Sequence, residues 1–286
     1  MNNDYLQKFL FDDFPIKGSL VRLETSWREI CSRAEPPDYA RQMLGEAVCA
    51  SVLLTSSIKF RGSVSLQVQT NGPLRFLLGQ CTHRHEVRGV VRESSQGSTS
   101  PVREPVLSIN LEPEEGGQPY QGIVAMHRDG LVPALQDYFT QSEQLQTHFL
   151  LVVDGSSCAG LMLQRMPGES PDPDAWNRVL RLAATLSEHE LLQFGPQQIL
   201  RRLFHQEDVR LFSPHPVRFG CRCSLERVSN MLRGLGESEA NDIVEEQGAI
   251  EVRCEYCGSS YEFDAVDAAR LFVNPILELP EKPGLQ

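Results

Sequence analysis

Alternation of polar and apolar residues marks strands in the first half of this 286-residue chain. Residues 63–69 (SVSLQVQ) alternate with the period of a half-buried strand. The turn Asn71-Gly72-Pro73 leads into a second apolar run at 74–78, so the two segments predict a β-hairpin. Four further segments are expected to be strands: 87–92, 106–111, 148–153 and 160–166.

One helical pattern lies among these strands. Leu131, Leu135 and Tyr138 or Phe139 fall on one stripe, which predicts a helix over 131–144. A polar segment at 94–105 is expected to be a loop, and Gly116-Gly117 a turn. Residues 1–166 are therefore expected to form a mixed α/β core domain of an α+β protein.

The pattern changes at 167–174 (PGESPDPD), where helix-breaking residues indicate a domain boundary. Residues 175–212 then carry apolar side chains at helical spacing. Ser187 with Glu190 matches a capping box, and Pro196 suits the first position of a further helix. We expect a helical linker over 167–217, ended by the SPHP segment, and a small C-terminal domain over 218–286.

The net charge and the hydropathy of the chain exclude several classes of function. The net charge of −11 argues against a nucleic-acid binder and against docking on anionic membranes. The N-terminus lacks the pattern of a signal peptide, and the longest apolar stretch, 47–58, is too short and too interrupted to span a bilayer. We therefore expect a cytoplasmic protein, in which the eight cysteines are not structural disulfides.

Two cysteine pairs carry the strongest chemical signal. Cys221 and Cys223 form a C-x-C pair, and Cys254 and Cys257 form a C-x-x-C pair thirty residues further on. Zinc takes four thiolates in a tetrahedron, and each closely spaced pair can supply one edge of it. Gly258 permits a tight turn that aims backbone amides at sulfur. These four cysteines are the predicted ligands of one zinc ion.

The residues around the two pairs predict a compact frame. Leu225, Val228, Leu232 and Leu235 form a helical stripe that ends at Gly236. Residues 250–254 and 261–263 are expected to pair as a hairpin around the second cysteine pair. Asp264 is expected to cap a final helix that runs through Leu271 and Phe272.

Spacing alone leaves three interpretations of this site: an inert zinc ribbon that only aids folding, a redox centre, or a site without metal. The C-x-C pair is too tight for a standard ribbon knuckle and can also close into a strained disulfide. A domain of about 69 residues is marginal without a staple. Because structural zinc contributes roughly 10–16 kcal/mol as folding energy, oxidation of its ligands would unfold the domain.

Other candidate residues have a simpler interpretation. Cys81, His83 and His85 would allow a metal site if they alternated along a strand, but a solvated strand face is favoured. The isolated Cys31, Cys49 and Cys158 are expected to be free, buried thiols. The segment 127–129 (HRD) is expected to be a turn and not a kinase catalytic loop.

Two competing functions involve the same cysteines. A thiol-disulfide oxidoreductase would use Cys254 and Cys257, but their place on an expected hairpin in an acidic region would raise the thiol pKa values. A nucleic-acid-binding zinc ribbon is disfavoured because residues 218–286 carry 13 acidic and 7 basic side chains, a net charge of −6.

The chain resembles the redox-regulated heat-shock protein 33 family of bacterial chaperones. Its cysteine pairs have the family's spacing within FGCRCSLERV (219–228) and VRCEYCG (252–258). The likeness spans essentially the whole chain, and Gln146 stands in a loop where the family pattern has proline. The likeness also covers four upstream segments: YFTQSEQLQT (138–147), AGLMLQRMP (159–167), LSEHELL (186–192) and ILRRLFH (199–205).

The resemblance implies an ATP-independent holding chaperone and not an enzyme. It implies an N-terminal client platform with a dimer interface, a metastable linker and a zinc domain that is inactive when reduced. Oxidation would form the disulfides Cys221–Cys223 and Cys254–Cys257, release zinc and unfold the linker. The implied partners are unfolded or partly unfolded client proteins and, on activation, a second copy, with no nucleic acid or membrane.

Overall fold

The structure is a computed structural model that describes residues 4–70, 72–94, 104–114, 116–126 and 130–272. Helices and strands mix throughout these residues, which confirms the α+β class. The chain divides into two compact units, Met1–Cys221 and Arg222–Gln286. Asn71, most of the predicted loop at 94–105 and the predicted turn at 127–129 lie outside the described residues.

The first unit is built from strands with three helices among them and three more near its end. It opens with β1 (Tyr5–Phe11), β2 (Ile16–Leu23), α1 (Thr25–Ala34) and α2 (Asp38–Ser57). The middle part comprises β3 (Gly62–Gln69), β4 (Leu74–Thr82), β5 (Glu86–Glu93), β6 (Val106–Pro113), β7 (Tyr120–Ala125), α3 (Leu131–Gln141), β8 (Thr147–Val153) and β9 (Cys158–Arg165). It ends with α4 (Ala175–Ala183), α5 (Glu188–Gln193), α6 (Pro196–Phe204), β10 (Val209–Leu211), β11 (His215–Pro216) and β12 (Arg218–Phe219).

These strands form two sheets. The first sheet has the order β10-β1-β2-β9-β8, with β11 pairing the same strand β1. The second sheet has the order β12-β5-β4-β3-β6-β7 and is antiparallel except for the parallel pairing of β12 with β5. The predicted hairpin is confirmed as β3 and β4, and the four further strand predictions are confirmed as β5, β6, β8 and β9.

Helix α3 confirms the predicted stripe but is shorter than expected. Leu131, Leu135, Tyr138 and Phe139 are buried. The helix ends at Gln141 instead of residue 144 because the chain turns there: Gln144 has a φ of 56°, and the Leu145 amide donates to the Phe139 carbonyl.

Helix α2 forms the core of the first unit and packs on both sheets. The apolar stretch noted at 47–58 comprises its C-terminal half and the next residue, and the side chains from Ala47 to Leu54 are buried. A Cβ at Gly79 of β4 would lie 2.6 Å from the Ala47 carbonyl carbon, so only glycine admits this approach. No helix among the described residues combines the length and apolar character that crossing a bilayer requires.

Helices α4, α5 and α6 form a second core against the first sheet. Val179, Ile199 and Phe204 from these helices lie with Phe9 and Leu161 in one buried cluster. The capping box of Ser187 with Glu190 and the position of Pro196 at the start of α6 are both confirmed. The helical pattern expected up to residue 212 is wrong beyond Phe204, because residues 209–211 form β10, which pairs with the edge of β1.

The second unit comprises α7 (Leu225–Leu235), α8 (Glu237–Gln247), β13 (Ile250–Arg253), β14 (Ser260–Phe263) and α9 (Ala265–Phe272). The predicted hairpin is confirmed as β13 and β14, and α7 ends at Gly236 as expected. The Asp264 carboxylate accepts the amides of Val266 and Asp267, which confirms the predicted cap. Leu225 and Leu235 are exposed, so half of the predicted apolar stripe faces solvent.

Candidate metal centre

Four cysteine thiols converge in the structure. One sulfur from each of Cys221, Cys223, Cys254 and Cys257 lies within 4.8 Å of the others, and all four residues are partly buried. The Cys223 and Cys257 sulfurs are 3.2 Å apart. A zinc tetrahedron with bonds of roughly 2.3 Å has sulfur–sulfur edges of about 3.8 Å, so this spacing is close to that of a four-thiolate metal site.

Two loops position these thiols. Cys221 and Cys223 lie between β12 and α7, and the Ser224 hydroxyl directly after them accepts the Arg227 amide at 3.2 Å and caps α7. Cys254 and Cys257 lie in the turn that joins β13 to β14. Each loop is therefore flanked directly by a helix or a strand, which limits how far its two sulfurs can move.

Gly258 closes the turn that carries the second pair. Its φ of 72° lies in the left-handed region, and its amide donates to the Cys254 carbonyl at 2.7 Å. The Cys254 amide donates to the Ser259 carbonyl at 2.9 Å. The tight turn is as predicted. The amides of Gly258 and Cys254 donate to carbonyls, and the expectation that backbone amides of this turn aim at sulfur stays a prediction.

Two hydroxyl groups contact the thiols. The Cys257 thiol donates to the Ser259 hydroxyl at 3.2 Å. A hydrogen bond with Cys223, together with burial and the charge of the neighbouring thiols, raises the pKa of Tyr261 to about 12. Neither residue was among the predicted site residues, although Ser259 follows Cys257 by two positions and Tyr261 stands on the predicted hairpin strand.

The other predicted metal candidates do not come together. Cys81 points into the core from β4, and burial raises its thiol pKa to about 12. His83 and His85 lie in the turn after β4, so the expected alternation along one solvated strand face is wrong. Among the described residues, the four clustered cysteines form the only group of three or more side chains with metal-binding geometry.

The second histidine of this turn, His85, has an unusual environment. The His85 ring lies 5.0 Å from the His215 ring on β11, measured between centroids. Burial is the main cause that lowers the pKa of His85 to about 4, with further contributions from His215, Lys8 and His83. The ring is therefore neutral at physiological pH.

Three isolated cysteines were expected to be free, buried thiols. Cys49 and Cys158 are free and fully buried, and burial together with the adjacent Cys49 thiol raises the pKa of Cys158 well above its usual value. Cys31 is also free but only partly buried, which corrects that part of the expectation. Their high thiol pKa values make Cys158 and Cys31 poor nucleophiles.

Comparison with known sequences gives a consistent result along the chain. The sequence profile described as "Hsp33 protein" matches residues 4–264. A protein named "33 kDa chaperonin" from Methylobacillus flagellatus is 41% identical over 282 residues, with 96% of each chain covered. The protein of the same name from Nitrosococcus oceani is 40% identical over 279 residues, again with 96% of each chain covered.

Comparison with solved structures supports the fold. The crystal structure of the 33 kDa chaperonin (heat shock protein 33 homolog) from Thermotoga maritima superposes with a TM-score of 0.78. The match covers 93% of this chain and 97% of that chain at 22% sequence identity. At this level of identity the likeness concerns the fold alone.

Proposed function

Because this chain belongs to the Hsp33 chaperone family, we propose that it is a redox-regulated, ATP-independent holding chaperone with four cysteine ligands for one zinc ion. The convergence of four thiols from two separate loops is the observation that carries this proposal. The proposed ligands are Cys221, Cys223, Cys254 and Cys257. The protein would be inactive when reduced and metal-bound, and active when oxidised.

The donor set fits zinc better than harder divalent ions. Four sulfurs at near-tetrahedral spacing suit zinc, whereas calcium and magnesium prefer oxygen ligands. When bound, zinc would hold the four sulfurs as thiolates and add roughly 10–16 kcal/mol to the folding of the unit. The buried apolar core of the second unit is small, so this contribution matters; its members are Val228, Leu232, Ala240, Ile250, Phe263 and Ala268.

Peroxide is the proposed oxidant. A thiolate of one pair attacks a peroxide oxygen, which gives a sulfenic acid and hydroxide. The second thiol of the pair then attacks the sulfenic sulfur, so a disulfide forms and water leaves. Two peroxide molecules thus remove four electrons and yield Cys221–Cys223 and Cys254–Cys257. The oxidised sulfurs no longer serve as thiolate ligands.

The pairing within each loop is itself a testable part of the proposal. Cys223 and Cys257 lie close together across the site, so a disulfide between the loops is the competing product. Peptide mapping by mass spectrometry after peroxide treatment separates the two. Disulfides within each loop support the proposal, whereas a Cys223–Cys257 product would contradict the assigned pairing.

Residues 167–217 are the proposed metastable linker between a client platform at 1–166 and the switch domain at 218–286. The three linker helices have 9, 6 and 9 residues, and helices this short are marginal in isolation. Their stability therefore depends on the apolar faces that they bury against the first sheet. Released from it, they would offer Phe, Leu and Ile side chains to unfolding clients.

The proposal extends to location and assembly. We assign the protein to the cytoplasm, where oxidative stress would reach the reduced thiols, and expect a homodimer on activation. Its partners are unfolded or partly unfolded proteins, with no nucleic acid or membrane. The relatives described above are named chaperonins, and we assign no catalytic activity to this chain.

A thiol-disulfide oxidoreductase remains the competing function to test. Such a site places its first cysteine at the start of a helix, whereas Cys254 lies in a turn between two strands. Catalytic reduction of insulin by this protein would favour the enzyme, and its absence together with client protection would favour the chaperone.

The central experiment follows zinc and client protection together. Zinc-loaded protein is treated with peroxide at mild heat while a chelating dye reports zinc release and light scattering reports the aggregation of a client. We expect zinc to leave, scattering to fall without ATP, and reductant to reverse the effect. Zinc that stays bound, or that leaves without any gain in client protection, would identify the site as a purely structural metal site.

A matched pair of variants locates the switch. Cys254→Ser should abolish stoichiometric, high-affinity zinc binding, whereas Cys31→Ser removes a thiol outside the cluster and should retain both zinc and peroxide activation. Loss of activation in Cys31→Ser would place the sensor elsewhere.

A further inference from the structure

The first unit contains a cavity of about 390 Å³ that the proposed function does not use. It lies where the end of α2 and helix α3 meet both sheets. Leu54, Ile109 and Phe139 supply apolar wall, and Lys17 and Gln164 supply polar groups. Its volume lies in the range of small-molecule sites, which combine apolar walls with a few convergent polar groups.

Lys17 gives this cavity a positive charge. The residue stands on β2 and is only partly exposed. Burial lowers the pKa of its ammonium group, with a smaller contribution from the Lys8 charge. Across the described residues, this ammonium has neither an ion pair nor a hydrogen bond. A partly desolvated charge without a partner is stabilised by a ligand of opposite charge.

Gln164 adds an oriented donor beside Lys17. The two residues lie directly opposite each other in the pairing of β2 with β9, so their side chains share one face of the sheet. The Gln164 side chain is 4% exposed, and its amide donates to the Thr147 hydroxyl at 2.9 Å. That hydrogen bond holds the amide in place, and the amide nitrogen carries a second N–H for a ligand.

The cavity lining also contains one carboxylate, that of Glu143, whose charge is stabilised by neighbouring hydroxyl groups. The Glu143 carboxylate accepts hydrogen bonds from the hydroxyls of Tyr120, at 3.1 Å, and Tyr138. The two hydroxyls are 2.7 Å apart. Burial and Glu143 both raise the pKa of Tyr138, so it stays a phenol and keeps donating. The carboxylate is also exposed to water, so this part of the cavity does not require a cation.

We propose that the cavity binds a small monocarboxylate with an apolar body. The carboxylate pairs with the Lys17 ammonium and the Gln164 amide, and the body lies against Leu54, Ile109 and Phe139. Charge complementarity selects an acid over an alcohol of the same chain length, because the alcohol leaves the ammonium without a partner. The site is separate from the cysteine centre and does not depend on the chaperone proposal.

The test is a calorimetric titration of the full-length, reduced, zinc-loaded protein. Decanoate is the probe, and decanol is the uncharged control of equal chain length. We expect one saturable site for decanoate, with decanol at least about tenfold weaker, as for the loss of a charge-assisted contact. 4-Phenylbutyrate, titrated in parallel, distinguishes an aryl body from an alkyl body.

Two matched variants place the ligand. Lys17→Met should weaken decanoate by about tenfold and leave decanol unchanged. Lys59→Met removes an exposed lysine that does not line the cavity and should leave both unchanged. Circular dichroism confirms that each variant is folded. The absence of saturable binding, equal affinities for the acid and the alcohol, or an unchanged Lys17→Met affinity would overturn the proposal. Peroxide activation is measured separately, so failure here leaves the chaperone proposal standing.

Discussion

At the scale of single residues, Gly258 sets the backbone path of the second cysteine pair. Its φ of 72° costs roughly 1–2 kcal/mol for any residue with a Cβ atom. The turn is closed by hydrogen bonds from the amides of Gly258 and Cys254. Because two of the proposed ligands lie on this turn, a residue with a Cβ atom at position 258 would strain the backbone that positions them.

Gly258→Ala is therefore expected to weaken zinc binding by roughly tenfold through about 1–2 kcal/mol of backbone strain. Competition with a chromophoric chelator measures the change. Gly234→Ala is the control, because Gly234 lies within α7 with nothing within 4 Å of a Cβ, and alanine favours the helix. Equal zinc affinities in the two variants would contradict a role for the turn.

The residues of the candidate metal site were predictable because each cysteine pair is local in sequence. Structural zinc sites typically draw their four ligands from two short-spaced pairs, and the sequence displays both. The residues of the cavity were not predictable: Lys17 and Gln164 meet only through the pairing of β2 with β9. No local pattern carries that information, since each residue alone resembles an ordinary polar strand residue.

At the scale of elements, the last helix of the proposed linker, α6, is anchored by aromatic side chains. Phe204 at the end of α6 lies 5.0 Å from the Phe11 ring in an edge-on arrangement and 6.4 Å from the Phe9 ring, measured between centroids. All three side chains are almost fully buried. This contact joins the last turn of α6 to the strand β1.

Phe204→Ala is expected to loosen α6 by about 3–5 kcal/mol, the usual cost of removing a buried phenylalanine. Under the proposed function, the reduced variant should protect a client from aggregation in part without peroxide, measured by light scattering. Arg201→Ala alters an exposed side chain on the same helix and should need peroxide as the parent does. A fully inactive reduced Phe204→Ala protein that is still folded would count against the linker proposal.

The turn between β4 and β5 is expected to make the first unit sensitive to acid. The pKa of His85 is about 4 in the folded chain against 6.5 when unfolded, so below pH 6.5 the unfolded state takes up a proton that the folded state does not. The stability contributed by the neutral ring is present above pH 6.5 and is lost as the pH falls toward 4. Between pH 7 and 5 the loss should be about 1 kcal/mol, reduced for partial exposure.

Urea unfolding at pH 7, 6 and 5 measures this loss. Tryptophan fluorescence reports the first unit alone, because Trp27 and Trp176 both belong to it. His85→Asn should remove about 1 kcal/mol of the pH dependence, since asparagine tolerates the φ of 57° at this position and does not titrate. An unchanged pH dependence in this variant would assign the acid sensitivity to other groups.

Elements were predictable where only one face is buried. Helix α3 and the hairpin of β3 and β4 show clear periods for that reason. Helix α2 is buried on nearly every side between residues 44 and 55, so its apolar residues run together and leave no helical stripe. Strand β10 has only three residues, too few for a period, and exists because β1 offers an edge to it.

At the scale of the whole molecule, the two units differ in the size of the buried apolar core that stabilises them. The first has two sheets around a buried helix, with a further helical layer on one of them. The second buries only a handful of apolar side chains. Metal removal should therefore unfold the second unit, while the central strands of the two sheets in the first unit stay paired.

Chelation of zinc from the reduced protein is expected to unfold the second unit and leave strands β2 to β9 of the first unit paired. Hydrogen exchange should show lost protection at the paired amides of β13 and β14, such as Val252 and Tyr261. The fluorescence of Trp27, measured in a Trp176→Phe background, should stay unchanged, and added zinc should restore the protection. Persistent protection of the hairpin without metal would show that its apolar core suffices.

The pairing of β10 with β1 has a consequence for biosynthesis. Strand β2 covers one edge of β1 almost as soon as both leave the ribosome, but the other edge waits for Val209–Leu211, roughly two hundred residues later. At translation rates of about 5–20 residues per second, that edge stays uncovered for roughly 10 to 40 s. During this interval the nascent chain presents an open strand edge to its surroundings, and so itself passes through an aggregation-prone stage before its sheet is complete.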